Sequence, residues 1–399
     1  MTHVAPTDGL KTEFAGQRPR LFKLALVASF WTVLTLGFYR FWMKTRLRRW
    51  YWSSIRPGGL PLEYVGDPFE KLLGFFMAVV VLAFYIGVVN LILMFASLSL
   101  FSTNFTAYAA SLIGVIPVWF YARYRARRYV LARTRWRGVR FGLEPGAWGY
   151  AGRALWHWLI TLLSAGILWP RKTFYLEKYR TDRTVFGSAT LHQGGSWTML
   201  MPAYVHVLIA AVVLAVAAGA LAQENNAVAM VGLVGVPYFI FGMIHYSVTA
   251  KRLLANHKSA GDVRLSAEPK VGTAVRIYVF GYLATVLVCM LPALPITVMI
   301  GVIEMEKNGL IDSSVPSTGE IYGLPTTVWT VLGVIAYFVI MLLWFVLRHC
   351  FVTMPIWRHY AETLTIENAD SLEDVSQKDR DEFREAEGFA EALDLWGAI

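Results

Sequence analysis

Six stretches of this chain are apolar enough to cross a lipid bilayer as helices, and they constrain its fold more than any other feature. They cover residues 72–101, 105–120, 199–222, 228–249, 276–303 and 326–347. A hydrocarbon core about 30 Å thick is spanned by about 20 residues of helix. Lipid offers backbone groups no hydrogen-bond partner, so each segment must satisfy its own. Two further stretches, 21–39 and 154–169, are shorter and interrupted. Charged residues make up 16% of the chain against 56% apolar, and the mean hydropathy is +0.48. Soluble domains carry about a quarter charged residues, so a polytopic membrane protein is expected. The N-terminal stretch has neither an apolar core nor a small-residue cleavage site, and does not read as a cleaved signal peptide. Cys289 and Cys350 fall in or beside apolar segments without metal-ligand spacing, and read as small buried hydrophobes.

Charge gives the topology. The net charge of +10 hides an acidic tail, residues 362–399, which holds 12 of the 27 acids and 3 of the 37 Lys/Arg. Lys and Arg collect in cytoplasmic loops. Residues 40–71 carry 7 of them, 123–153 carry 9, 171–183 carry 5 and 251–276 carry 6. The connections before Phe105 and at 222–227 carry none, and 304–325 carries only Lys307. If 21–39 and 154–169 crossed fully, basic segments would lie on opposite sides. The economical reading makes these two half-spanning or re-entrant on the cytoplasmic side, with six full spans and both termini in the cytoplasm. Full crossings that violate the charge rule are the alternative.

The chain also resembles itself. Residues 32–38, TVLTLGF, align without a gap on 161–167, TLLSAGI, at an offset of 129, and Gly66 meets Gly195 at the same offset. Residues 139–145, VRFGLEP, align on 263–269, VRLSAEP, at an offset of 124. Such self-similarity points to internal duplication. The implied organisation is a cytoplasmic segment 1–20, membrane repeats 21–144 and 145–268, a partial repeat 269–361 and the acidic tail 362–399. Short alternating stretches read as strands: LPLEYVG, VRFGLEP, TVFGSATLHQ, VRLSAEP and TLTIEN. The fold class expected is an all-α polytopic membrane protein with internal repeats, plus one small cytoplasmic β-sheet built between the spans.

The stretch 16–52, GQRPRLFKLALVASFWTVLTLGFYRFWMKTRLRRWYW, and the later LPLEYVGDPFEKLLGF at 60–75 resemble the bacterial YjgN-like inner-membrane family. A weaker second copy at 152–197 and the tail EAEGFAEALDL extend the similarity over most of the chain. Phe41 departs from the proline expected there, whereas Pro170 occupies the aligned position of the second copy. The resemblance implies a polytopic bacterial inner-membrane protein. It implies no activity, because the family is known as a domain of unknown function.

Several residues are candidates for chemistry. Ionisable and polar groups inside a membrane are costly and mark pathways or relays; Asn90, His157, His206 and His245 are those in this chain. Their spacing fits no metal motif, so hydrogen-bonded structural histidines are the expectation and a proton relay or metal site the alternative. Thr32, Thr35 and Gly37, with Thr161, Ser164 and Gly166, are the candidate translocation or ligand site, since repeat-related broken helices build such sites in transporters. Close helix packing is the competing reading. Arg40, Trp42, Lys44, Arg48 and Trp50, with Arg123, Arg127, Arg171 and Lys172, read as interface anchors that meet anionic headgroups. Their tethering to apolar helices argues against nucleic acid. No catalytic motif, cofactor site or metal site is evident. A transporter, channel or lipid-handling protein leads. A scaffold recruiting an unidentified cytoplasmic or membrane partner, and a His-dependent intramembrane enzyme, follow.

Overall fold

In the computed structural model, residues 9–100, 104–308, 320–321, 324–372 and 375–377 are described, though side chains at some positions within the long helices are not. Strand β1 (Leu10–Phe14) leads into helix α1 (Arg18–Leu34), and α2 (Arg40–Ser54) returns to β2 (Ile55–Pro57) and β3 (Glu63–Tyr64). Helices α3 (Pro68–Leu100) and α4 (Asn104–Ala132) precede the hairpin β4 (Thr134–Trp136) and β5 (Val139–Leu143). The pattern then recurs with α5 (Ala147–Leu163), α6 (Trp169–Thr181), β6 (Thr184–Phe186), β7 (Ala189–Thr190) and β8 (His192–Gln193). Helices α7 (Met201–Ala222), α8 (Asn226–Ala229) and α9 (Gly232–Asn256) lead to β9 (Lys258–Ala260) and β10 (Val263–Ala267). The chain continues with α10 (Val271–Lys307), a small ladder of β11 (Glu320–Ile321) and β12 (Leu324–Pro325), and α11 (Thr326–Arg348). A π-helical turn (His349–Thr353), α12 (Met354–Glu362) and β13 (Leu364–Glu367) follow.

Among the described residues, four helical segments are long and apolar enough to cross a membrane: Trp197–Ala222, Asn226–Asn256, Val271–Leu294 and Val328–Glu362. They match the last four of the six expected spans, and the protein is membrane-embedded. The first two, 72–101 and 105–120, fall in α3 and α4, but residue 101 and a number of the side chains lie outside those described. Asn90 lies in α3, and its side chain is likewise outside the described residues.

The chain divides into two compact units. One comprises residues 1–15, 48–271 and 360–399, and the other 16–47 and 272–359. In the first, the strands form two antiparallel sheets rather than the one expected. Their orders are β2-β1-β13-β10-β9-β8 and β3-β4-β5-β6-β7. All five expected strand stretches contribute, but β3 to β7 pair among themselves and β8, β10 and β13 pair elsewhere. The sheets meet through Trp136 and Phe186 of one and Val263 and Ile366 of the other. Burying both apolar faces against each other leaves no reason for a single layer.

Pairing follows one scheme twice. Tyr64 opposes Thr134 and Glu63 opposes Arg135; Gln193 opposes Lys258 and His192 opposes Ser259. The N–H of Val65 donates to the Arg133 carbonyl at 2.9 Å, as that of Gly194 does to His257 at 2.8 Å. These equivalences keep the sequence offsets of 129 and 124.

Candidate functional site

The aligned TVLTLGF and TLLSAGI stretches end α1 and α5 in the same turn. The N–H of Gly37 donates to the Thr32 carbonyl at 2.7 Å, and that of Leu36 to Val33 at 3.0 Å. Gly166 donates to Thr161 at 2.8 Å and Ala165 to Leu162 at 3.0 Å. This pair of bonds is the Schellman ending, which satisfies carbonyls that a helix terminus leaves unpaired. It places two residues in succession at positive φ: Leu36 at 51° and Gly37 at 96°, Ala165 at 50° and Gly166 at 86°.

The four hydroxyls are committed to this turn. Thr32 Oγ1 donates to the Ala28 carbonyl at 2.7 Å, as Thr161 Oγ1 does to His157. Thr35 Oγ1 donates to Trp31 and accepts from the Tyr39 N–H at 2.9 Å. Ser164 Oγ donates to Thr161 and accepts from the Leu168 N–H at 3.1 Å. Little hydrogen-bonding capacity is left over for a ligand. The Gly166 carbonyl accepts from Tyr204 Oη at 3.2 Å, which ties this turn to the first turn of α7.

Around the turns the chain exposes apolar side chains. Leu36 is 86% exposed and Leu163 80%, and Leu34, Phe38, Leu162 and Ile167 are exposed too. The tips are thus apolar outside, with their polar groups satisfied from within. α1 packs along α11, and α5 along α6.

The basic–aromatic helices that follow are less superficial than their sequence implies. Met43, Leu47 and Tyr51 make a buried stripe along α2 at four-residue spacing. Arg48 is 6% exposed; its Nη1 donates to Tyr64 Oη at 3.1 Å, and its guanidinium lies 5.1 Å from that ring. Arg127 turns inward beside Glu177. A tyrosine of a later strand receives Arg48, whereas Arg127 is half-buried. Trp50 meets Phe14 edge-on at 6.2 Å, and Trp42 stacks on Tyr39 at 6.0 Å. Arg40 and Lys44 are half-buried.

Lys172 has the most unusual setting. It is 6% exposed, and its Nζ lies 3.0 Å from the Trp169 ring centre and 3.7 Å from that of Trp158. The two indoles stand edge to face at 5.5 Å. Burial, with Arg123 nearby, pushes the Lys172 ammonium down to about 8. Arg123 is exposed and covers Trp119 at 5.4 Å, and Arg171 covers Tyr175 at 5.2 Å. This is a cation–aromatic shelf at the base of the α5–α6 hairpin.

Glu177 is the anchor beneath it. It binds Lys258 Nζ at 2.7 Å and Arg180 Nη2 at 2.6 Å, which joins α6 to β9. Burial alone would raise its carboxyl, but Lys258, Arg180 and Arg127 outweigh it and hold the group well below the usual carboxylate range.

The three histidines divide. His206 and His245 face each other across α7 and α9, with ring centres 4.6 Å apart. His206 Nδ1 is bonded to Tyr238 Oη at 2.9 Å, and His245 Nδ1 donates to the Ala203 carbonyl at 3.2 Å. His157 instead stacks on Tyr175 at 4.9 Å and accepts from Arg171 Nη1 at 3.3 Å. Among the described residues no three or more His, Cys, Asp or Glu side chains gather as a metal site would need.

No curated protein and no solved structure matches the chain. One family model does, over residues 9–392, in keeping with the YjgN-like resemblance of the N-terminal stretch. The chain therefore belongs to the family described as bacterial protein of unknown function (DUF898).

Proposed function

We propose that this protein is a lipid-handling protein of the bacterial inner membrane, and that its two helical hairpins dip into the cytoplasmic leaflet. The observation that carries the reading is the matched turn. Both α1 and α5 end in an apolar tip whose hydroxyls and backbone groups bond one another, and both lead into a basic, aromatic helix. Apolar residues at the tip and cations with indoles behind it are the order in which a leaflet presents its acyl chains and headgroups. Tyr204 supports a shallow insertion, because it holds the Gly166 carbonyl at the beginning of a candidate span. The hydroxyls' commitment to the backbone favours lipid handling over a polar translocation site among Thr32, Thr35, Thr161 and Ser164.

The six-span count and cytoplasmic termini belong to this reading, as does origin by duplication. The strand pairing at offsets of 129 and 124 supports the last. Transbilayer movement of headgroup-labelled phosphatidylglycerol in proteoliposomes tests the function. The wild type should accelerate it, and Gly37→Leu with Gly166→Leu should remove most of the gain. A wild-type rate equal to that of protein-free vesicles would overturn the reading.

A scaffold role has one observation in its favour. Residues Val375–Gln377 dock on the second sheet: the Ser188 N–H donates to the Ser376 carbonyl at 2.9 Å, and the Arg140 N–H to Gln377 Oε1 at 3.0 Å. A partner strand or tail could use the same place.

A further inference from the structure

The unit formed by residues 16–47 and 272–359 has a charge imbalance it cannot correct itself. Outside 304–323 it contains nine Lys/Arg (Arg18, Arg20, Lys23, Arg40, Lys44, Arg46, Arg276, Arg348 and Arg358) and no Asp or Glu. Two of the nine converge on a cleft of about 360 Å³. It is lined by Arg18 at the start of α1, Thr273 and Arg276 on the first turns of α10, and Phe280 and Phe351 among its apolar wall. Neither Arg18 nor Arg276 makes a hydrogen bond or ion pair with a described residue.

The cleft has a structural cause. The π-helical turn His349–Thr353 interrupts the long helix formed by α11 and α12. Such single turns widen a helix locally and are common at functional sites. Opposite it, Gly281 lets the backbones meet, since a Cβ there would lie 2.5 Å from the Phe351 carbonyl oxygen. One turn away the walls part, leaving the guanidinium groups beside an apolar slope. That slope continues along α10 through Val279, Phe280 and Leu283, all at least half exposed.

We propose that this cleft binds an anionic glycerophospholipid. Arg18 and Arg276 take its phosphate, Thr273 donates its hydroxyl to a phosphate oxygen, and an acyl chain lies along Ile277 and Phe280. Guanidinium groups match phosphate oxygens by paired hydrogen bonds. The position at the start of a spanning helix is where headgroups lie, and the missing carboxylates leave a ligand to supply the negative charge. This inference rests on the lipid-handling reading and names the ligand for one part of it.

The test uses the full chain in neutral detergent, with thermal unfolding read against added short-chain phosphatidylglycerol, phosphatidylcholine or glycerol phosphate. Phosphatidylglycerol should stabilise the wild type at concentrations at which phosphatidylcholine does not. Arg18→Gln with Arg276→Gln should weaken that response at least about tenfold, through the loss of two charge-assisted contacts. Arg18→Lys with Arg276→Lys should keep a large part of it. An equal response to glycerol phosphate would assign the site to free phosphate and overturn the lipid proposal. A preference for phosphatidylglycerol that survives the double Gln variant would overturn the cleft while leaving the wider lipid reading intact. No preference in the wild type would count against both. Should the Gln variant not fold, native mass spectrometry of the wild type decides: retained phosphatidylglycerol displaced by Phe280→Glu supports the cleft, and retention unchanged by it contradicts the cleft.

Discussion

Gly37 and Gly166 stand 129 residues apart in the chain and hold the same left-handed backbone, at φ 96° and 86°, each donating to the carbonyl five residues before it. A Cβ built at either would meet nothing within 4 Å. Space therefore does not demand glycine there; the backbone does. A side chain in this conformation costs about 1–2 kcal/mol. Gly37→Ala and Gly166→Ala should each lower stability by about that amount, and the double variant by about the sum, since the turns share no partner. Chemical denaturation in detergent measures this.

Leu36 and Ala165 precede those glycines and occupy left-handed positions without being glycine themselves. Ala165→Gly should therefore stabilise the isolated protein by about 1 kcal/mol. Leu36→Gly should gain similarly in backbone strain but lose membrane affinity, because Leu36 is the most exposed apolar residue at its tip. Opposite signs for stability and for lipid-dependent activity would separate the two roles.

Glu177 predicts an acid limit. Its carboxyl titrates below its ordinary value of about 4.3, so its contribution is complete above that value and is lost as pH falls through the native one. Glu177→Gln leaves Lys258 and Arg180 without their carboxylate and should cost about 3–5 kcal/mol. It should also flatten the loss of stability below about pH 4. Melting temperatures between pH 3 and pH 7 report both effects.

Lys172 predicts a slope of the same sign at the alkaline end. Its ammonium titrates at about 8 in the fold, because burial between Trp158 and Trp169 disfavours the charge. An unfolded lysine titrates near about 10.4. Between these values the unfolded chain binds more protons, so stability should rise with pH across that window and be flat below it. Lys172→Met should abolish the rise. Indole fluorescence should also shift near pH 8 in the wild type alone, because the cation leaves the faces of two tryptophans.

Much of this was legible from apolar runs and small motifs. The four candidate spans follow from length and hydropathy, and the paired turns from Thr, Gly and Ser at constant spacing. The sheets were legible only in part. The three-residue strands β2, β4 and β9 are too short to show alternation, and division into two sheets depends on pairings far apart in sequence, such as Gln193 with Lys258. Arg48 shows a different failure. On a helical wheel it belongs with Arg40 and Lys44, but Tyr64 of a later strand covers it. The cation–aromatic interleaving read as a lipid surface is thus partly an interior contact, and nothing local to α2 announces that. The π-helical turn beside Arg18 left no sequence signal either.

The central claim is that both hairpins enter the bilayer from the cytoplasmic side and turn back. Spin labels at Phe38→Cys and Ile167→Cys, in proteoliposomes, test it most directly. The account predicts high accessibility to oxygen and low accessibility to a water-soluble nickel chelate at both tips, with a cysteine at Lys44 labelled by impermeant reagent from the cytoplasmic face alone. Free access of the chelate to the tips, or labelling of position 44 from the outer face, would contradict it.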